Sequence, residues 1–208
     1  MALTHPRESV PSTRKGRDTR RRIVDAAADL VYERGVAGVS LDDVRRLTGT
    51  SKSQLYHYFA GKNDLIHAVV ERQRERVLGF HRPLVESLAS WDDIQRWRDT
   101  VVDEQAARVC RGGCPLGSLA NELLDLDARA QGQLSSAFAA WQQLLASGLD
   151  TMATNGALRG DANTADLALS VIAGLQGGLL LSEITGATHP LEVALDTAIA
   201  HLKSFAVA

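Results

Sequence analysis

At 208 residues, with 45% hydrophobic side chains and a net charge of −2, the chain is long enough to bury a core, as one large or two modest domains. Taken run by run, no apolar stretch approaches the roughly 18 residues of a membrane helix; the longest is the glycine-rich GLQGGLLL, and the polar, basic first twenty residues do not read as a signal peptide. Two cysteines, Cys110 and Cys114, make no disulfide framework and point to a cytoplasmic location.

Residues 1–17 are rich in Pro, Ser, Arg and Lys without periodicity and are expected to form a disordered basic arm. From there helical spacing dominates. Ile23, Ala27, Leu30 and Val31 make one face of a first helix that Gly35 can end. Ser40 with Asp43 reads as the N-cap of a second helix, stopped by Gly49. Ser51 and Gln54 fit the capping box of a third, very short helix. Ala60 and Gly61 break it, and a long helix starts near Lys62 and runs to about His81, where Arg82-Pro83 forces a kink or an end.

Further along, Ser90 with Asp93 caps a helix carrying Ile94, Trp97, Val101 and Val102. The loop at 111–116 separates it from a helix around Leu119–Leu126. Leu134, Phe138, Trp141, Leu145 and Met152 space out along another, ending at Asn155-Gly156. Two more are expected near Thr164–Ile184 and Pro190–Phe205, the latter with proline in its first turn. With no strand pattern or internal repeat, the expected class is all-α.

The charge is unevenly spread. Residues 1–62 hold 12 Lys and Arg against 7 Asp and Glu, leaving 11 against 18 for residues 63–208. A basic front and an acidic back place any nucleic-acid contact in the N-terminal quarter. There the second helix, the turn at Thr48–Thr50 and the short third helix make a helix-turn-helix, whose second helix enters the major groove. The stretch SKSQLYHYF (51–59) carries three of the chain's ten aromatic residues. On a helix, Leu55 and Phe59 share one face and can bury. Lys52, Ser53, Gln54, Tyr56 and His57 lie on other faces, with chemistry for bases and phosphates. Gln54 can read a base or only close its own cap; Tyr58 can be half-buried or face DNA.

With these residues in view, the segment TRRRIVDAAADLVYERGVAGVSLDDVRRLTGTSKSQLYHYFAGKNDLIHAV resembles the DNA-binding domain of the TetR family of transcriptional regulators. The resemblance rests on I-x-x-A-A-x-x-L in the first helix, Gly35, Ser40-Leu41, Gly49, S-K-S-Q-L-Y-H-Y-F and G-K-N-D-L. It implies a DNA-binding set of Ser40, Lys52, Ser53, Gln54, Tyr56, His57, Tyr58 and Lys62, with Tyr56 and Lys62 chiefly at phosphates. Arg45 departs from the pattern, standing where a small residue usually packs between helices. The resemblance also implies that the N-terminal unit spans 18–62 and that 63–208 form a ligand-binding and dimerisation domain.

In that larger part, AGLQGG (173–178) places small residues on a helix face. With Leu175, Leu179, Leu195, Ile199 and Leu202, the last two helices can form a four-helix homodimer interface or an intramolecular core. The loop GGCPLGSLANEL (112–123) is similar to a Cys-Pro-hydrophobic-Gly motif in a drug- and flavonoid-responsive subset of the family. Cys114 can be structural or a sensor; as a nucleophile it needs a base, for which His81 is the unassigned candidate. An apolar effector pocket is expected among the fourth to seventh helices, walled by Trp97, Cys114, Leu119, Phe138 and Trp141 with Asn121 as polar contact. Few charges fall at inward positions, which suits an aromatic or lipophilic effector. No motif asks for a metal or other cofactor. The expectation is a ligand-responsive, homodimeric repressor on a palindromic operator, non-enzymatic and without a membrane partner. A helical enzyme or binding protein whose helix-turn-helix does not touch DNA, and an activator, are the other readings.

Overall fold

The computed structural model describes residues 13–207, which form nine helices. These are α1 (Arg14–Arg34), α2 (Leu41–Thr48), α3 (Lys52–Tyr58), α4 (Lys62–Glu86), α5 (Trp91–Ala107), α6 (Pro115–Leu123), α7 (Ala128–Thr154), α8 (Thr164–Thr185) and α9 (His189–Lys203). The all-α expectation holds. The expected basic arm is shorter than 1–17, because Thr13 caps α1 by accepting from the Gly16 amide at 3.1 Å and draws residues 14–17 into the helix. The remainder of that arm lies outside the described residues.

Capping boxes start α2, α3 and α5, each closed by Ser with an acid or amide three residues on: Ser40–Asp43, Ser51–Gln54 and Ser90–Asp93. Gly35 and Gly49 sit at φ +72° and +64°, where a β-carbon is disfavoured, and they end α1 and α2.

Two expected boundaries shift: α6 starts at Pro115, inside the expected loop at 111–116, and ends at Leu123, and α4 runs past its expected end. α4 does not end at Arg82-Pro83 but continues through the proline to Glu86. Val85 and Leu88 beyond it are each 1% exposed. They press on Gly148 of α7, where an added β-carbon would lie 2.8 Å from both side chains. Burial of two large aliphatic groups, about 1.5–3 kcal/mol each, outweighs the backbone hydrogen bond that proline removes.

α4 is the shaft between the N-terminal helices and the body. It packs on α1 at one end and on α7 along its length. Gln73, 3% exposed, donates to the Ala28 carbonyl of α1 at 3.2 Å. Arg72 and Arg76 reach Asp25, and Arg76 also reaches Asp29, at 2.5–3.2 Å. On the α7 side, the His67 ring lies 2.9 Å from Gln133 Oε1 and 3.2 Å from Asp127, the α7 N-cap.

α8 and α9 form an antiparallel pair. Gly178 allows it, since a β-carbon there would lie 2.9 Å from Leu191 Cα. Leu175, Leu179, Leu195, Ile199 and Leu202 are all buried within the chain, so the residues expected at a dimer interface are instead intramolecular core. α8 also corrects the expectation about apolar length. Its 22 residues are long and apolar enough to cross a membrane, because the apolar positions wrap the helix and the few polar ones do not interrupt it. One side is buried in this chain. The other carries Leu169, Ala173, Gly177, Leu180, Leu181 and Ile184 in an exposed stripe.

Candidate nucleic-acid interface and effector cavity

The helix-turn-helix is held by its own polar turn. Thr48 Oγ1 donates to the Val44 carbonyl at 2.8 Å, and its oxygen lies 2.8 Å from Thr50 Oγ1, both side chains buried. This fixes α3 against α1 and α2 through Leu55 and Phe59, each 1% exposed. Arg20 of α1 lies over the Phe59 ring, 5.3 Å from its centroid, a basic residue that no sequence motif singled out.

The other side of α3 faces solvent. Lys52, Ser53, Gln54, Tyr56 and His57 are all exposed, and Lys52 Nζ stands 6.0 Å from the Tyr56 ring centroid. Tyr58 is half-buried, with its ring edge-on to His57 at 5.0 Å. Gln54 Oε1 accepts from the Ser51 amide at 3.0 Å, so its oxygen serves the cap. Ser40 is likewise engaged, its hydroxyl bonded to the Asp43 carboxylate. Those hydrogen bonds from Ser40, joined by Arg46, hold the Asp43 carboxyl at about 2.

Lys52, Tyr56, Ser40, Arg45 and Lys62 border one cleft of about 430 Å³ between α2, α3 and the start of α4. Arg45 is accommodated there because its guanidinium turns outward to Asp42 at 3.0 Å while its stem lines the cleft.

A second cavity, of about 280 Å³, lies between α1, α4, α5, α7, α8 and the start of α6. Of the residues named for an effector pocket, Trp141 and Cys114 line this cavity; Trp97, Leu119, Asn121 and Phe138 do not. Trp97 is 2% exposed and donates its indole N–H to His81 Nδ1 at 3.1 Å, which turns it away into the core. Leu119 is buried elsewhere in the core, and Asn121 is exposed on the outer face of α6. Phe138 stacks on Trp141 at 6.1 Å and supports the wall from behind.

The lining instead includes Tyr32, Gln73, His81, Gln105, Arg108 and Gly113. The cavity is also more charged than its apolar helix faces suggested. Asp29 and Arg76 pair at 2.7 Å, and Glu104 and Arg108 at 2.6 Å, around it.

Two titratable groups here are tuned by burial. Desolvation lowers His81 to about 4, so its ring is neutral at neutral pH. Burial pushes the Cys114 thiol up, against weaker opposing bonds from Gly117 and Gln176. A thiol protonated at neutral pH is a poor nucleophile, and His81 is committed to Trp97.

The loop between α5 and α6 joins this cavity to the N-terminal helices. Val109, Cys110, Gly112 and Gly113 all have positive φ. The curl brings the backbone against Tyr32: a β-carbon on Gly112 would lie 2.3 Å from the Tyr32 hydroxyl oxygen. Glu122 of α6 makes a second tie, accepting from the Val36 amide at 2.7 Å.

Known sequences and structures share this architecture. The family model described as bacterial regulatory proteins, tetR family, matches residues 23–69. That described as tetracyclin repressor-like, C-terminal domain, matches residues 92–198. An uncharacterized HTH-type transcriptional regulator of Lactococcus lactis is 30% identical over 185 residues, covering 86% of this chain and 91% of that one. The HTH-type transcriptional repressor NemR of Escherichia coli is 26% identical over 192 residues, 90% of this chain and 93% of its own. The crystal structure of E. coli NemR in reduced form superposes with a TM-score of 0.73 at 22% identity, covering 91% of this chain and 97% of that chain. A TetR transcriptional regulator from Chloroflexus aurantiacus gives 0.76 at 26%, covering 93% and 98%.

Proposed function

The chain belongs to the TetR family of bacterial transcriptional regulators, and from that premise we propose that it is a homodimeric cytoplasmic repressor released from a palindromic operator by a small molecule bound in the 280 Å³ cavity. It is a ligand-responsive DNA-binding regulator and not an enzyme. The observation that carries the operator reading is the division of α3. Leu55 and Phe59 are buried at 1% exposure, while Lys52, Ser53, Gln54, Tyr56 and His57 stand clear. Such a helix, anchored on one side and polar on the other, suits insertion into a major groove. Tyr56 and Lys62, on the same cleft, are assigned to phosphates on either side of it.

A palindrome reader needs a two-fold partner. The exposed stripe of α8 supports one: Leu169, Ala173, Gly177, Leu180, Leu181 and Ile184 recur at helical spacing. Ala173 and Gly177 let two copies of α8 approach closely. The similarity of the Cys114-Pro115-Leu116-Gly117 loop to a drug- and flavonoid-responsive subset stays part of this proposal, supported by Cys114 and Pro115 at the cavity wall.

Release requires the effector to favour a conformation that does not fit the operator. The cavity touches both α4 and, through Asp29 and Tyr32, α1, so its contents bear on the orientation of the DNA-binding unit. The test is titration of the dimer onto promoter DNA flanking its own gene, at several salt concentrations. A repressor protects a two-fold symmetric site with a steep salt slope. Salt-insensitive binding, or protection of an asymmetric site, contradicts the reading.

A further inference from the structure

The donors around the 280 Å³ cavity specify more about its ligand than its apolar walls do. Trp141 is 1% exposed and Gln105 3% exposed, and both line the cavity. The indole Nε1 of Trp141 and the amide Nε2 of Gln105 are buried without a hydrogen-bond partner among the described residues. An indole N–H can only donate, and an amide nitrogen carries two N–H groups. A third donor follows from tautomer logic. Trp97 Nε1 can only donate to His81 Nδ1, so the neutral ring carries its proton on Nε2. His81 also lines the cavity, and its ring lies 4.7 Å from that of Trp141 at 34°.

The charged groups at the same cavity cancel in pairs, Arg108 with Glu104 and Arg76 with Asp29. Nothing in that arrangement calls for a formal charge on the ligand. Neutral N–H groups beside two tilted aromatic rings call instead for acceptor oxygens on the edge of a flat molecule.

We infer that the cavity takes a compact, uncharged aromatic compound bearing ring-edge carbonyl or lactone oxygens, with Trp141 and Gln105 as the donors that select it. The inference rests on the reading of this cavity as the effector site. A bare hydrocarbon of the same shape leaves the donors unmatched, and a site built to hydrogen-bond its ligand rejects an analogue lacking the acceptor.

The probes are coumarin, a flat bicycle with lactone oxygens, and naphthalene, a similar bicycle with none. Binding of each to the full-length protein is measured by calorimetry, alongside the indole N–H resonances. Coumarin is expected to bind about tenfold or more tighter than naphthalene and to shift the Trp141 indole proton, identified by its loss in Trp141→Phe. Gln105→Leu, which keeps an apolar core, reduces the preference to within about threefold. Equal binding of the two probes, no coumarin binding at its solubility limit, or an unmoved Trp141 proton at saturation overturns the inference. Promoter DNA binding, followed in the same samples, separates the two readings. Coumarin that binds with the expected preference but leaves DNA bound supports the cavity chemistry and removes the effector role.

Discussion

The hydroxyl of Tyr32 in α1 lies 3.2 Å from the carbonyl oxygen of Gly113, to which it donates, in the loop that leads into α6. Arg108 donates to the same hydroxyl at 3.2 Å. One phenol therefore ties the helix that carries the DNA-binding unit to a residue lining the cavity. Burial raises the Tyr32 hydroxyl, against the opposing Arg108, so it remains a donor through neutral pH. Tyr32→Phe is predicted to cost about 1 kcal/mol of stability and to change operator affinity in the absence of effector by less than threefold. The effector concentration needed for half-release should rise several-fold. Parallel operator titrations of parent and variant, with and without effector, measure it; unchanged release at equal effector occupancy rejects Tyr32 as a coupling residue.

Phosphate contacts separate from base contacts by salt dependence. Lys62→Ala is predicted to weaken operator and scrambled DNA alike and to lower the slope of log K against log salt by about one per neutralised phosphate. Tyr56→Phe removes a hydroxyl from an exposed position and should weaken operator binding without shifting the thermal midpoint. Circular dichroism melts beside fluorescence anisotropy check both.

Gln54 has a divided role. Its Oε1 accepts from the Ser51 amide at 3.0 Å, which leaves the NH₂ group for an adenine edge. Gln54→Glu keeps an acceptor for the cap but loses that donor, so stability should hold within about 0.5 kcal/mol. The ratio of operator to scrambled-duplex affinity is predicted to fall about tenfold or more. Taking the ratio cancels the added charge, which repels any DNA. A preserved ratio assigns Gln54 to capping alone.

His81 makes stability depend on acid. Its folded value of about 4 lies below the ordinary value of about 6.5. As pH falls through 6.5 the unfolded chain takes up a proton that the folded protein refuses until near pH 4, so stability is lost across that window. The loss reaches roughly 3 kcal/mol at its lower end. His81→Gln keeps an acceptor for Trp97 and should flatten this component. The difference between parent and variant denaturant midpoints at pH 7.5 and pH 5 isolates it, because the other histidines cancel. Parallel pH curves contradict the assignment.

The exposed face of α8 predicts the oligomer. Leu181 is 51% and Ile184 70% exposed in the single chain, so a charge there costs little in the monomer. Leu181→Glu and Ile184→Glu should leave the melting of the fold intact while shifting the mass in solution from dimer toward monomer. Light scattering across a concentration series reads this directly. Operator affinity should fall in proportion, since a single DNA-binding unit loses the second half-site.

Most of the secondary structure was legible because its signals are local. Capping boxes at Ser40, Ser51 and Ser90, glycines at positions 35 and 49, and the alternation of buried and exposed residues on α3 each depend on a few neighbours in sequence. Local signals misled where a distant partner set the balance. Pro83 reads as a kink or a stop, yet α4 continues because Val85 and Leu88 find Gly148 some sixty residues away. Leu195 and Leu202 read as a dimer interface with an intramolecular core as the alternative, and the seating of Leu191 against Gly178 turned them inward and left Leu180, Leu181 and Ile184 outside. The cavity was the least legible part. Its walls come from six helices, and whether Trp97 or Trp141 faces it is decided by which indole His81 accepts. The sequence by itself determined the helices, the ends that capping boxes and glycines mark, and the two-faced α3. Tertiary structure alone decided which apolar faces met, because burial energy depends on a partner's shape and no spacing along one helix records it.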